Sequence, residues 1–136
     1  MFHVNVPDVL VYTVRLLRKA QQHSTRVQVL LDTIEAQRLS QMLWGLPDAD
    51  FLPHALWTAD ITENEFSRTP MWLDTRSDTT LLCPVVINLT RSVTPEGESL
   101  NKVIEVVGQD EAAVAAARQR WKAYLARAWT PEKFER

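Results

Sequence analysis

The stretch FHVNVPDVLVYTVRLLRKAQQHSTRVQVLL, residues 2–31, predicts a strand, a helix and a second strand in succession. Residues 2–6 alternate apolar and polar side chains, which is typical of a half-buried strand. Asp8 is a good N-cap for a helix from Val9 to about Gln22, because its carboxylate can accept unpaired N–H groups of the first turn. Residues 27–31 form a short, β-branched apolar run that predicts a buried strand. Two strands joined through a helix favour parallel pairing and an α/β fold.

The pattern of strands and helices continues beyond this unit. Asp32 and Glu35 have capping-box spacing at the start of a second helix, which Gly45 ends and Pro47 prevents from resuming. Residues 48–70 are the least regular part of the sequence, and a connection of this length is expected to be functional or to contain short elements that the pattern does not reveal.

Three further strands are predicted at residues 71–73, 84–89 and 102–107, followed by a last helix from about 111 to 128. We therefore expect one α/β domain over residues 1–136, a three-layer Rossmann-like fold with a mainly parallel sheet. Residues 130–136 are polar and are expected to form a frayed, flexible tail.

Composition excludes several classes of protein. The chain has 136 residues, 46% of them hydrophobic, and a formal net charge of −2. This is enough apolar material for a core, and the balanced charge argues against nucleic-acid binding over the whole surface. No apolar run has membrane-spanning length, no signal peptide is recognisable, and the single cysteine excludes an internal disulfide framework. The expected location is therefore the cytoplasm, with no membrane partner.

The glycines argue against a nucleotide cofactor. Only Gly45, Gly97 and Gly108 are present, so neither a dinucleotide fingerprint nor a phosphate loop can be formed. Pro7, in the first turn, has no N–H to offer a phosphate. We expect no nucleotide site and no cofactor.

No catalytic constellation is recognisable. His3, His23 and His54 lack the spacing of a metal site. Cys83 stands in an apolar run beside Pro84, which suits an inert core thiol. We expect no catalytic residues and no metal site, and so a protein that is not an enzyme.

The aromatic residues allow two interpretations. Trp44, Phe51 and Trp57 cluster around a helix end and an irregular stretch. They could cover the edges of the core, or they could form a protein-binding surface, for which tryptophan is a preferred anchor.

The last helix also allows two interpretations. Arg118 and Lys122 are four residues apart and flank Trp121, within a basic stretch that includes Arg120 and Arg127. Cations near a helix C-terminus compensate its dipole, and the aromatic stripe could face the core. Alternatively, a pair of cations beside an aromatic ring suits an acidic peptide with an apolar end, or single-stranded nucleic acid.

Two motifs resemble a known family. LWGLP at residues 43–47 with FLPHAL at 51–56 resembles the "LW..P…F.PH.L" segment of the chi subunit of bacterial DNA polymerase III. ARQRWKAY at residues 117–124 resembles the closing-helix pattern "AR.R[YW]KAY" of the same family. The order of strands and helices also fits, so the resemblance covers nearly the whole chain.

The resemblance implies a non-catalytic accessory of the clamp-loader complex, with a nucleotide-binding-like fold that has no nucleotide site. Its partners would be the psi subunit and the acidic, Phe-ended C-terminal tail of single-stranded DNA-binding protein, with DNA contacted only indirectly. The implied location is the nucleoid-associated replisome of a bacterial cytoplasm.

Residue by residue, the resemblance implies that Arg118 and Lys122 are the cations of the tail site and Trp121 is its aromatic wall. Val107 would line the apolar pocket. Positions that are often basic in the family are Val114 and Leu125 here, so this site would hold fewer positive charges.

The surface facing psi would be built around Trp44 and Phe51, with Pro47 shaping the turn. Two alternative functions remain at this stage. One is a small nucleotide-dependent enzyme on a Rossmann-like sheet, which the missing glycine loop disfavours. The other is direct binding of single-stranded DNA through the basic last helix, which the net charge disfavours.

Overall fold

The computed structural model of the chain describes residues 1–47, 51–57, 69–76, 81, 83–97 and 100–135. The described strands are β1 (Phe2–Val6), β2 (Val27–Leu30), β3 (His54–Leu56), β4 (Met71–Asp74), β5 (Val85–Asn88), β6 (Lys102–Gly108) and β7 (Lys133–Glu135). The described helices are α1 (Val9–Gln22), α2 (Thr33–Trp44) and α3 (Glu111–Ala126). The seven strands form one sheet in the order β3-β4-β2-β5-β6-β1-β7, and every pair is parallel.

The two faces of the sheet carry different helices. Val27 and Val29 face α1 and α2, where they join an apolar core with Leu17 and Leu39. Phe2 belongs to the opposite face and packs beneath α3. Successive side chains of a strand point to opposite faces, so one sheet separates two helical layers. The predicted three-layer, Rossmann-like α/β fold is confirmed.

The three described helices begin where the sequence predicts. Asp8, Asp32 and Asp110 each accept a hydrogen bond from the backbone N–H three residues later, at 3.1, 2.7 and 3.1 Å. Such caps typically contribute about 0.5–2 kcal/mol each. None of the helices in the described part of the chain is long and apolar enough to cross a membrane.

Buried polar side chains lie on the face of the sheet beneath α3. Gln28 Nε2 donates to Asp74 Oδ2 at 2.9 Å, and Asn88 Nδ2 donates to Glu105 Oε1 at 3.1 Å. All four residues are at most 1% exposed. Buried polar groups are costly without partners, and these bonds satisfy such groups on the α3 face of the sheet.

The structure locates a short element in the irregular stretch and contradicts the expectation for the tail. The stretch 48–70 contains a strand, β3, which pairs with β4 from His54↔Met71 onward; residues 48–50 and 58–68 lie outside the described residues. The polar tail expected to be frayed contains β7, which pairs with β1 and extends the sheet. The physical reason is the outer edge of β1, whose backbone groups need partners; the Phe2 N–H donates to the Glu132 carbonyl at 2.7 Å.

Candidate functional site

An open groove of about 790 Å³ lies between α3 and strands β1, β6 and β7. Four residues singled out in the sequence line it together: Arg118, Trp121 and Lys122 from α3, and Val107 from β6. Arg118 and Lys122 are one helical turn apart and therefore share a face of α3. The groove joins an apolar surface to two cations.

The base of the groove is apolar. Phe2 and Val4 of β1 line it beside Val107, and the rings of Phe2 and Trp121 lie 5.1 Å apart. Trp121 is half-buried, so one side of its indole packs on the sheet while the rest borders the groove. Val114 adds a further apolar side chain.

The basic residues of α3 fall into two groups. Arg118 and Lys122 are exposed, whereas Arg120 is only 4% exposed and its Nε lies 3.3 Å from Glu105 Oε2. Arg127 donates to the Thr94 carbonyl at 2.6 Å. Arg120 and Arg127 therefore attach α3 to the domain, and Arg118 and Lys122 remain available to a ligand.

Glu105 is the centre of the buried polar contacts beneath α3. Its Oε1 accepts hydrogen bonds from the Tyr124 hydroxyl and from Asn88. Burial raises the pKa of Glu105, and the hydrogen bonds from Tyr124 and Asn88 and the charge of Arg120 oppose that rise. Burial and the neighbouring carboxylate raise the pKa of Tyr124 to about 12, so its hydroxyl stays a donor at neutral pH. These contacts fix the rotation of α3, and hence the direction of Arg118 and Lys122.

A second surface consists of Trp44, Phe51 and His54, which we call the aromatic patch. Trp44 is 65% exposed at the end of α2, and its ring lies 5.1 Å from that of Phe51 and 5.4 Å from that of His54. His54 is held by Ser40, whose Oγ is 3.1 Å from His54 Nε2.

The aromatic residues of the sequence therefore divide between surface and core. Pro47 is exposed in the turn that follows α2, next to the aromatic patch in sequence. Trp57 is 6% exposed and packs against Trp72 at 5.1 Å. Trp57 therefore covers the core, as the first interpretation predicts, whereas Trp44 lies at the surface.

Comparison with sequence models of protein families assigns the chain to a family. The sequence model of the DNA polymerase III chi subunit, HolC, matches residues 1–132 of the 136. The chain belongs to the chi family. This confirms the resemblance and makes the chain an accessory subunit of the DNA polymerase III complex, with a role in DNA replication. A comparison with individual curated proteins gave no match.

Sequence reasoning missed the β1 and β7 residues of the groove in this chi-family chain. Lys133 and Glu135, both on β7, line the groove opposite α3. The pattern Lys-Phe-Glu at 133–135 does alternate charged and apolar residues, as an edge strand would. Three residues are too few for periodicity to identify a strand, and so the opposite wall of the groove could not be predicted.

The structure gives His3 and Cys83, which were considered as metal ligand and nucleophile, separate surroundings. His3 Nδ1 is bonded to the Tyr12 hydroxyl, and burial raises the pKa of the Cys83 thiol to about 11. Within the described ranges, no group of three or more His, Cys, Asp or Glu could hold a metal ion. At the start of α1, where a Rossmann fold binds phosphate, the Asp8 carboxylate accepts the Val11 N–H.

Proposed function

We propose that this chi-family chain is a non-catalytic adaptor that joins the psi subunit to the C-terminal tail of single-stranded DNA-binding protein. It would act within the clamp-loader complex at the nucleoid-associated replisome of the bacterial cytoplasm, and would contact DNA only through its partners. The observation that carries the proposal is the groove, where Val107, Arg118, Trp121 and Lys122 line one cavity.

The chemistry of the groove matches an acidic peptide with an aromatic end. Arg118 and Lys122 are exposed cations that can meet carboxylates, and arginine can do so with two parallel hydrogen bonds. Val107 and Phe2, with the ring of Trp121, offer an apolar surface for a terminal phenylalanine. A ligand that is acidic along its length and apolar at its end would use both the cations and the apolar surface of the groove.

The aromatic patch is proposed to hold psi. A large exposed indole beside a second aromatic ring is the composition of a protein-binding hot spot. Pro47 would fix the turn that presents it. Only apolar contact is assigned to this surface, in contrast to the charged groove.

The two surfaces are far enough apart for simultaneous binding. The patch adjoins β3 and the groove adjoins β7, which are the opposite edges of the sheet. Six strand spacings of about 4.8 Å separate these edges, or about 29 Å. The patch also lies on the end of α2, while the groove lies beneath α3 on the other face. An adaptor requires such separate sites.

Fluorescence anisotropy of a labelled peptide, with several carboxylates and a C-terminal phenylalanine, tests the tail site. Arg118→Ala should weaken binding by about 1–3 kcal/mol, the range for a lost charged hydrogen bond. Arg15→Ala, an exposed arginine on α1, is the matched control and should bind as the wild type does. Binding should weaken as salt rises, and a peptide lacking the final phenylalanine should bind poorly.

Equal affinity of wild type and Arg118→Ala would remove the reason for placing the site in this groove. A labelled single-stranded oligonucleotide is measured in parallel. Arg118-dependent binding of the oligonucleotide, with no binding of the peptide, would support the direct DNA binder instead.

A further inference from the structure

We propose that β7 is the second wall of the peptide site, and that the ion pair between Lys133 and Glu135 is exchanged when an acidic peptide binds. In this proposal Lys133 is a third cation for the peptide, and Glu135 is the internal carboxylate that the peptide replaces. The inference rests on the proposed function of the groove and names residues that set its specificity.

The register of β7 on β1 directs both charged side chains into the groove. Lys133 is paired with Phe2, and Glu135 with Val4. Phe2 and Val4 face α3 and line the groove, and residues in register on neighbouring strands point to the same face. Phe134, between them, points to the other face, where its ring lies 5.3 Å from that of His3.

The ion pair is weak enough to be exchanged. Lys133 Nζ lies 3.9 Å from Glu135 Oε2, and the side chains are 57% and 61% exposed. Pairs this exposed contribute little, because water solvates both charges. An incoming carboxylate that takes the place of Glu135 therefore costs the protein little.

The charges along the groove define the ligand it selects. Arg118 and Lys122 line the α3 wall, and Lys133 with Glu135 line the β7 wall. While Lys133 and Glu135 are paired, their charges nearly cancel, so the β7 wall attracts an uncharged peptide only weakly. A peptide with several carboxylates can engage both walls, whereas one with a single carboxylate can engage only one.

Two neutral variants measured by peptide anisotropy test the exchange. Lys133→Gln should weaken binding of the acidic, Phe-ended peptide about two- to fivefold, the range for an exposed charge pair. Its affinity should also fall less steeply with salt. Glu135→Gln should tighten binding by a similar factor, because Lys133 loses its internal partner and the groove loses a negative charge. Lys19→Gln, exposed on α1, is the matched control.

The opposite changes in peptide affinity expected for Lys133→Gln and Glu135→Gln distinguish this proposal from a purely structural role for β7. If β7 served only to complete the sheet, both variants would weaken binding or leave it unchanged, and either result overturns the inference. Arg118→Ala is measured alongside. A loss with Arg118→Ala but none with Lys133→Gln rejects the role of β7 and keeps the proposed function; no loss with either rejects both.

Discussion

Arg120 of α3 crosses to the sheet and places its Nε 3.3 Å from Oε2 of Glu105 on β6, in a site where both side chains are at most 5% exposed. Two residues earlier on the same helix, Arg118 is exposed. A helix turns about 100° per residue, so the two arginines face the interior and the groove respectively. One arginine orients the helix, and the other is presented to a ligand.

Arg120→Ala should therefore destabilise the fold much more than Arg118→Ala. Removing one partner of a buried ion pair leaves an uncompensated charge and costs about 3–5 kcal/mol. Arg118→Ala, an exposed change, should stay within about 0.5 kcal/mol. Urea denaturation followed by circular dichroism gives the free energy of unfolding for both. Similar losses for the two variants would contradict the assignment of Arg120 to structure.

Neutralising both partners gives a sharper version of that test. Arg120→Met combined with Glu105→Gln removes both charges of this pair, so the double variant should be more stable than Arg120→Met alone, which leaves the Glu105 carboxylate without its cation. The introduced amide oxygen can still accept hydrogen bonds from Tyr124 and Asn88, as Glu105 Oε1 does. Because the two variants share the same substitution at position 120, a double variant no more stable than Arg120→Met would show that the unpaired charge of Glu105 does not account for the loss.

Trp44→Ala should abolish capture of psi and leave the fold intact. The side chain is 65% exposed, so little core is lost, whereas truncation of a tryptophan hot spot typically costs about 2 kcal/mol or more of binding, about thirtyfold or more in affinity. The measurement is co-purification of psi with the tagged chain. Ile34→Ala, which truncates another exposed apolar side chain on α2, is the control. Full recovery of psi with Trp44→Ala would place the psi surface elsewhere, and unfolding of the variant would assign Trp44 to the core.

The fold was largely predictable because its signals are local. Asp8, Asp32 and Asp110 precede apolar periodic segments, and capping chemistry depends on residues a few positions apart. Strand β3 was missed because His54–Leu56 has no alternation that stands out from the surrounding residues. It becomes a strand through pairing with β4, and such long-range pairing leaves no pattern in three residues.

The site was predictable only in part, for a related reason. Spacing placed Arg118 and Lys122 on one face of α3, but it could not tell that Arg120 would be buried. That depends on Glu105, a charged residue between the apolar side chains of Ile104 and Val106, and on which face of β6 it occupies. Lys133 and Glu135 enter the groove through pairing of β7 with β1, a contact between the two ends of the chain.

The chain should bind no nucleotide. Asp8 caps α1 and places a carboxylate at the helix N-terminus, where a phosphate would be repelled, and Pro7 offers no N–H. Thermal denaturation with millimolar ATP, GTP or NAD should leave the midpoint unchanged, because a ligand that binds only the folded state would raise it. A dose-dependent rise of several degrees would contradict this prediction and favour the enzyme alternative.

Stability should fall as the pH is lowered from about 6.5 towards 4, and His3 should account for part of that loss. Burial, together with the positive N-terminus, Lys102 and Lys19, lowers the pKa of His3 from 6.5 to about 4. Between those values the unfolded chain binds a proton that the folded chain does not, so acid favours unfolding. His3→Gln removes this titration, and its free energy of unfolding should decline less steeply over the interval. The slope with pH is compared, rather than the stability at one pH, because the variant also alters the bond to Tyr12. Urea denaturation at a series of pH values measures both slopes, and parallel curves for the two proteins would show that His3 is not the group that titrates.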